Sequence, residues 1–291
     1  MSCYYYKIYG YTVKSNVMMP LLTETELDSC FDIELNVTYK KIESINSVVI
    51  SEEDDCFRIR ISIYAVYTVY KTQDRIECEV FGFEEFFSTL FNIPFSVYCI
   101  IRGECVLHSC SVICNEQLIC FAGEKGVGKS TLMKLLDGEK MTAFSDDTIK
   151  VSVDKMAYKA HSLMKLTENT VSALNVCKLL GVKNAAGKQY VRITSENTEK
   201  KIGAVILLKR GKYSKKIIPV VNSSLKTGIF CENIVGINYF CTSLLSRSLE
   251  ISKNIELKIN FGILSLPDDI SKLCNIKNEI ANVVELFAGM S

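Results

Sequence analysis

The chain has 291 residues, 48% hydrophobic and 23% charged, with 15 Gly, 4 Pro and a formal net charge of +1. That composition belongs to a folded globular protein and excludes a disordered or fibrous one. The charge is uneven, since residues 1–100 hold 8 Lys and Arg against 15 Asp and Glu, a net of −7, which leaves +8 for the remainder. A basic excess of this kind suits a phosphate-bearing or acidic ligand but is too diffuse for a nucleic-acid footprint, so no nucleic acid is expected as a partner. No membrane is expected either: the longest uncharged stretch of interest, 86–101, contains Asn92 and Pro94 and falls short of the ~18 apolar residues of a membrane span. The first residues show no basic region followed by an apolar core, so the expected location is cytoplasmic. Thirteen cysteines, an odd number without a Cys-x-x-Cys pair, read as reduced thiols within apolar runs. Cys105, His108, Cys110 and Cys114 are ligand-type residues, but their spacing is irregular for zinc.

In chain order, the segments 4–11, 31–37, 57–70 and 75–80 are rich in Tyr, Ile, Val and Thr and predict half-exposed strands, with acidic 52–55 as a turn between two of them. Aromatic and aliphatic residues then recur at three- and four-residue steps over 84–101, predicting one buried helix that links the two halves. After it come a strand, an Asn115-Glu116 turn, a buried strand over 118–122, a glycine loop, a short helix over 129–137 and a strand over 141–144. Beyond these, 151–159 reads as a hairpin around Asp154-Lys155, 202–208 as a buried strand and 271–287 as a terminal helix. The basic run 209–216 reads as a solvated turn between strands. The expected organisation is α/β in two domains, a smaller β-rich one over 1–100 and a larger one over 101–291.

Chemistry enters at Gly123-Glu124-Lys125-Gly126-Val127-Gly128-Lys129-Ser130, followed by Thr131, which fits G-x-x-x-x-G-K-[ST]. The pattern has meaning only between a buried strand and a helix, and both flanks are expected here. Glycines let successive backbone N–H groups converge on phosphate oxygens at a helix N-terminus; Lys129 would reach the β and γ phosphates and Ser130 would offer a hydroxyl to Mg²⁺. Such a loop does not by itself separate a kinase from a GTPase, a motor or a transporter ATPase. The next acidic element comes early, as Asp146-Asp147 at the end of a short strand. Adjacent carboxylates can divide the tasks of holding a metal and deprotonating an attacking hydroxyl, although an Asp-Asp pair also makes an ordinary turn. His108, at the entrance of the strand before the loop, would come close to both or simply be satisfied in place.

At these residues the sequence resembles the HPr serine kinase/phosphorylase family, and more closely its shorter relatives associated with peptide natural-product biosynthesis. The resemblance rests on Arg102-Gly103, Leu107-His108-Ser109-Cys110-Ser111-Val112, the 123–130 loop and Asp146-Asp147, where the family shows RG, an LHAS-like segment, GxxGxGKS and DD. Weaker likenesses are 161–174, which includes Lys165, and 202–208. The resemblance implies a P-loop kinase core of the HPr kinase and phosphoenolpyruvate carboxykinase type behind a β-rich N-terminal domain. It implies ATP and Mg²⁺ as cofactors, loop residues and Lys129 on the phosphates, Ser130 and Asp146 at the metal, Asp147 as the base that accepts a serine hydroxyl proton, and His108 assisting. The implied partner is a peptide or small protein bearing a serine, such as a ribosomally made precursor, and a homo-oligomer is allowed; exposed strand edges of the acidic N-terminal domain could take such a peptide by strand addition or be no more than edges. Alternatives are a kinase of free serine or another small molecule, and a nucleotide-binding regulatory protein without transfer. The sequence departs from the family in lacking an LExRG-type segment after the acidic pair, Glu232–Gly236 being a partial and distant likeness, so the resemblance does not extend to phosphorylase activity or to HPr itself as substrate and leaves both open. Lys226 is a weak match to a basic phosphate clamp of the larger kinases.

Overall fold

Strand runs that alternate apolar with polar residues and runs that are apolar throughout sort into different sheets of this chain. The computed structural model describes residues 3–26, 30–40, 47–61, 65–176, 187–256 and 259–289, with Glu84, Glu85, Ser88 and Glu256 described by their backbone alone. It is mixed α/β. Strands β1 (Tyr4–Ile8), β2 (Tyr11–Ser15), β3 (Ile33–Tyr39), β4 (Val48–Glu52), β5 (Cys56–Ile61), β6 (Ala65–Tyr70) and β7 (Arg75–Val80) form one sheet in the order β1-β2-β3-β7-β6-β5-β4. Helices α1 (Phe83–Leu90) and α2 (Ile93–Ile101) follow it.

The second sheet collects β8 (Cys105–Leu107), β9 (Cys110–Cys114), β10 (Gln117–Ala122), β11 (Thr142–Ser145), β12 (Ile149–Val151) and β13 (Met156–Lys159), while β14 (Leu163–Leu166) and β15 (Gln189–Arg192) pair separately. β16 (Glu199–Arg210) runs through its middle, and β17 (Ile218–Pro219) and β18 (Asn260–Leu266) complete it. Helix α3 (Lys129–Leu136) follows β10, α4 (Glu168–Ala173) follows β14, and α5 (Ser223–Glu232), α6 (Thr242–Glu256), α7 (Ile270–Asn275) and α8 (Lys277–Ala288) fill the last third. β10, β16 and β18 are parallel neighbours, and Leu118–Ala122 is buried throughout, as a strand covered on both faces must be. Ligand sites of α/β sheets form outside the carboxyl ends of such strands. Here those ends lead into the glycine loop, Arg210 and Pro267.

One apolar cluster runs from Tyr6 in the first sheet through the fully buried stretch Ile93–Ile100 of α2 to Phe261 in the second. A further tie is the β1–β2 turn. Tyr9 and Gly10 both have positive φ (54° and 81°), and a Cβ on Gly10 would lie 2.6 Å from the Tyr158 ring, so glycine is what lets this turn press on β13. The buried Tyr9 hydroxyl donates to Phe91 O at 2.7 Å and lies 2.6 Å from Thr148 Oγ1. Among the described residues no helix is long and apolar enough to cross a membrane.

Several sequence expectations are corrected. The run 4–11 is a hairpin, β1 and β2, because Tyr9-Gly10 turns where the aromatic composition continues. The run 57–70 is likewise two antiparallel strands, β5 and β6, with 62–64 outside the described residues. The single helix over 84–101 is two, broken before Pro94, whose ring and missing N–H fit the first turn of α2 but not a helix interior. The terminal helix over 271–287 is also two, α7 and α8, meeting at Ile276, and no glycine or proline marks that break. Tyr9→Phe would leave the buried Phe91 carbonyl without its donor, which is expected to cost about 1–3 kcal/mol of stability by chemical denaturation.

Candidate functional site

The loop begins where β10 stops. Gly123 has φ 136°, and a Cβ there would lie 2.8 Å from Leu208 O of the parallel neighbour, so the chain can leave the sheet at this point only as glycine. Gly128, at φ 99°, is the N-cap of α3, and a Cβ on it would meet the Arg210 guanidinium at 2.9 Å. Arg210 in turn donates to Pro267 O at 2.7 Å and Gly126 O at 3.3 Å, bracing the loop from β16. The read-out of the basic run as a solvated turn therefore misses Arg210, which also lines the site.

A cavity of about 580 Å³ opens at this loop, and Lys125, Gly126, Gly128, Lys129, Ser130 and Thr131 form one side of it. The Lys129 amine bonds to Gly123 O at 2.7 Å and Glu124 O at 3.2 Å, and burial pushes it below its ordinary pKa. Val127 turns instead into the apolar core, Gly123 is buried and does not line the cavity, and Glu124 is exposed, contributing its carbonyl to Lys129.

The two aspartates part company. Asp147 has φ 73°, a left-handed conformation that aspartate tolerates better than most residues. Asp146, 2% exposed, points inward: its Oδ1 accepts from Ser130 Oγ at 2.7 Å and Cys110 Sγ at 2.8 Å, and its Oδ2 from the Lys165 amide at 2.7 Å. Asp147 lines the cavity, with Lys165 Nζ 2.9 Å from Oδ2 and His108 Nδ1 3.4 Å from Oδ1. Burial, the largest single influence, would raise the Asp147 carboxyl, but Lys165 together with His108 and His161 outweighs it, and the group is held well below the usual carboxylate range. The His108 ring is itself pushed below the usual imidazole range, by burial first and Lys129 second, so at neutral pH it offers a hydrogen bond and no charge.

His108 sits between β8 and β9, and its N–H donates to Asn233 O at 2.7 Å. Asn233 caps the end of α5 and uses its side chain too: Oδ1 accepts the Gly123 N–H at 3.0 Å while Nδ2 donates to Ile229 O at 2.8 Å. One residue thus sets the loop's first glycine and the histidine strand in register. Sequence reading missed it as part of the partial 232–236 likeness; Glu232 of that segment and Lys226 do not line the cavity. Lys165 was legible only as a lone lysine inside the apolar strand Leu163–Leu166. Cys105, His108, Cys110 and Cys114 do not form a metal cluster, Cys105 bonding to Val151 O and Cys110 to Asp146. Among the described residues no group of three or more His, Cys, Asp or Glu is placed to hold a metal ion.

No protein-family model matches the chain and no curated protein matches it. Among solved structures, the Hpr(Ser) kinase/phosphatase from Coxiella burnetii is similar at 12% identity and a TM-score of 0.33, over 62% of this chain and 94% of that one. At that similarity the likeness bears on no residue's role.

Asn233→Ala should speed hydrogen exchange at the Gly123 amide, which loses its acceptor, while amides in the middle of α6 keep their protection. Lys165→Met removes the cation beside Asp147 and leaves burial opposed only by the more weakly acting His108 and His161. The Asp147 pKa is then expected to rise from well below the usual carboxylate range, as read by a carboxyl-carbon NMR titration.

Proposed function

We propose that this protein is a phosphotransferase that moves the γ-phosphoryl group of ATP to a serine hydroxyl of a peptide or small protein. The observation that carries the reading is that one cavity is lined both by the glycine loop with Lys129 and by Asp147. Backbone N–H groups at the start of α3 and the Lys129 amine form an anion site, and phosphate oxygens are stronger, charged acceptors than the two carbonyls that Lys129 now uses. Ser130, which lines the cavity, would hold Mg²⁺ through Oγ, with Asp146 supporting the ion through the Ser130 hydroxyl, and hydroxyl and carboxylate oxygens suit a hard cation. When bound, the ion neutralises charge on the phosphates.

Asp147 is ionised at neutral pH and is the proton acceptor. The serine O–H proton passes to its carboxylate as the new O–P bond forms and the bond to the β-phosphate oxygen breaks, releasing ADP. A carboxylate this acidic takes the proton late, once the attacking oxygen has lost most of its electron density. Lys165 and the neutral His108 fix the carboxylate in place. Residues 101–291 would be the catalytic part. Serine and a polypeptide acceptor rest on the likeness of the 102–147 motifs to the HPr serine kinases, and acceptor screening by mass spectrometry separates a polypeptide from free serine.

Asp147→Asn is expected to lower transfer from γ-labelled ATP by about 10²–10⁴-fold, with binding of a fluorescent ATP analogue within a few-fold of the wild type. Lys129→Ala should instead lose the binding itself. Undiminished turnover in the Asn variant would remove Asp147 from the role given to it here.

A further inference from the structure

Three lysines are buried among the described residues, and they are not treated alike. Lys150 pairs with Glu104 at 2.9 Å and lies between the rings of Tyr11 and Tyr158, 4.0 and 4.4 Å from their centres. Lys129 has only backbone carbonyls, and it faces the cavity in which phosphates would complete it. Lys159 is the third, 7% exposed. Its amine donates to Ser195 O at 2.8 Å, and no carboxylate among the described residues pairs with it. Burial brings it down to about 8, so it is still largely charged at neutral pH. The Phe144 ring, 5.7 Å from the amine, adds a weak cation–π contact, and a buried cation with only one neutral carbonyl and a ring among the described residues is unfavourable unless an anion joins it.

Lys159 lines a second cavity, of about 560 Å³, where the β1–β2 turn and residues 21–23 meet β13 and the 192–199 segment. We infer that this cavity is a binding site for a small organic acid with a single carboxylate, and that Lys159 is the partner of that carboxylate. The charge count selects the ligand. Lys7, Lys159 and Arg192 face Glu196 and Glu199 around the cavity, an excess of one positive charge. One carboxylate cancels it, whereas a phosphate dianion would leave a surplus of negative charge beside two glutamates. Leu21, Leu22 and the Tyr158 ring supply apolar wall for the rest of the molecule.

The site is separate from the glycine-loop cavity but close to it in the chain. His161 lines the second cavity, packs edge-on against Phe91 with ring centres 5.0 Å apart, and is held neutral by burial, its pKa down at about 3. β14, which carries Lys165, begins two residues later. The inference does not depend on phosphotransfer and stands if that reading fails.

Benzoate, acetate and inorganic phosphate titrated into the full chain test it by calorimetry. Benzoate is expected to bind saturably, phosphate to bind Lys129→Ala, whose glycine-loop site is disabled, at least tenfold more weakly than benzoate does, and Lys159→Met to weaken benzoate at least tenfold while leaving binding of the fluorescent ATP analogue unchanged. Lys159→Arg should retain benzoate. If Lys159→Met does not fold, the shift of the Lys159 side-chain nitrogen resonance on adding benzoate to the wild type reads the same contact. No saturable binding of either carboxylate, equal binding by the Met variant, phosphate binding to Lys129→Ala as tightly as benzoate, or an unmoved Lys159 resonance would each overturn the assignment.

Discussion

Two consecutive carboxylates at the end of a buried strand repel one another and must each find partners, and the left-handed backbone at Asp147 is what lets them do so separately. Asp146 turns into the protein and collects three donors, from Ser130, Cys110 and the Lys165 amide. Asp147 turns into the cavity and is balanced by the Lys165 side chain. Lys165 therefore serves both acids, one through its backbone and one through its amine. A single segment, β14, thus reads the geometry of the whole acidic pair, and Lys165 leads the groups that together outweigh the burial that would neutralise Asp147.

The glycine loop obeys the same economy of partners. Its entrance is held by Asn233, its middle by Arg210, and its lysine by its own carbonyls, so the loop is shaped before any anion arrives. Preorganisation of this kind reduces what binding must spend on ordering. Asn233 also holds the backbone of His108, which makes the end of α5 the common support for the two sides of the site. The first sheet reaches the same region through Tyr9, whose hydroxyl lies beside Thr148, the residue after Asp147.

Much of the local architecture was legible. Asn115-Glu116 reads as a turn because both residues must adopt positive φ between two strands, and they do, at 48° and 63°. The strand of 75–80 and the hairpin around Asp154-Lys155 follow from alternation and turn chemistry in the same way. Errors arose where composition continues across a reversal: Tyr9-Gly10 sits inside an aromatic run, and α1 and α2 share one apolar periodicity although Pro94 starts a new helix. The break at Ile276 has no residue signature at all, since it depends on what α7 and α8 pack against.

For the site, the amino-acid sequence by itself determined the glycine loop, the lysine and hydroxyl that follow it and the acidic pair, because each is a property of a few adjacent residues and the backbone angles they permit. Only the tertiary structure decided that Lys165, 18 residues from Asp147, is its counter-ion, and that Asn233, 110 residues from Gly123, anchors the loop. It alone also left Lys159 without an anion among the described residues while giving one to Lys150. Pairing between distant side chains depends on which strands become neighbours, and that is settled by burial of the whole core rather than by any pattern a short stretch of sequence can carry.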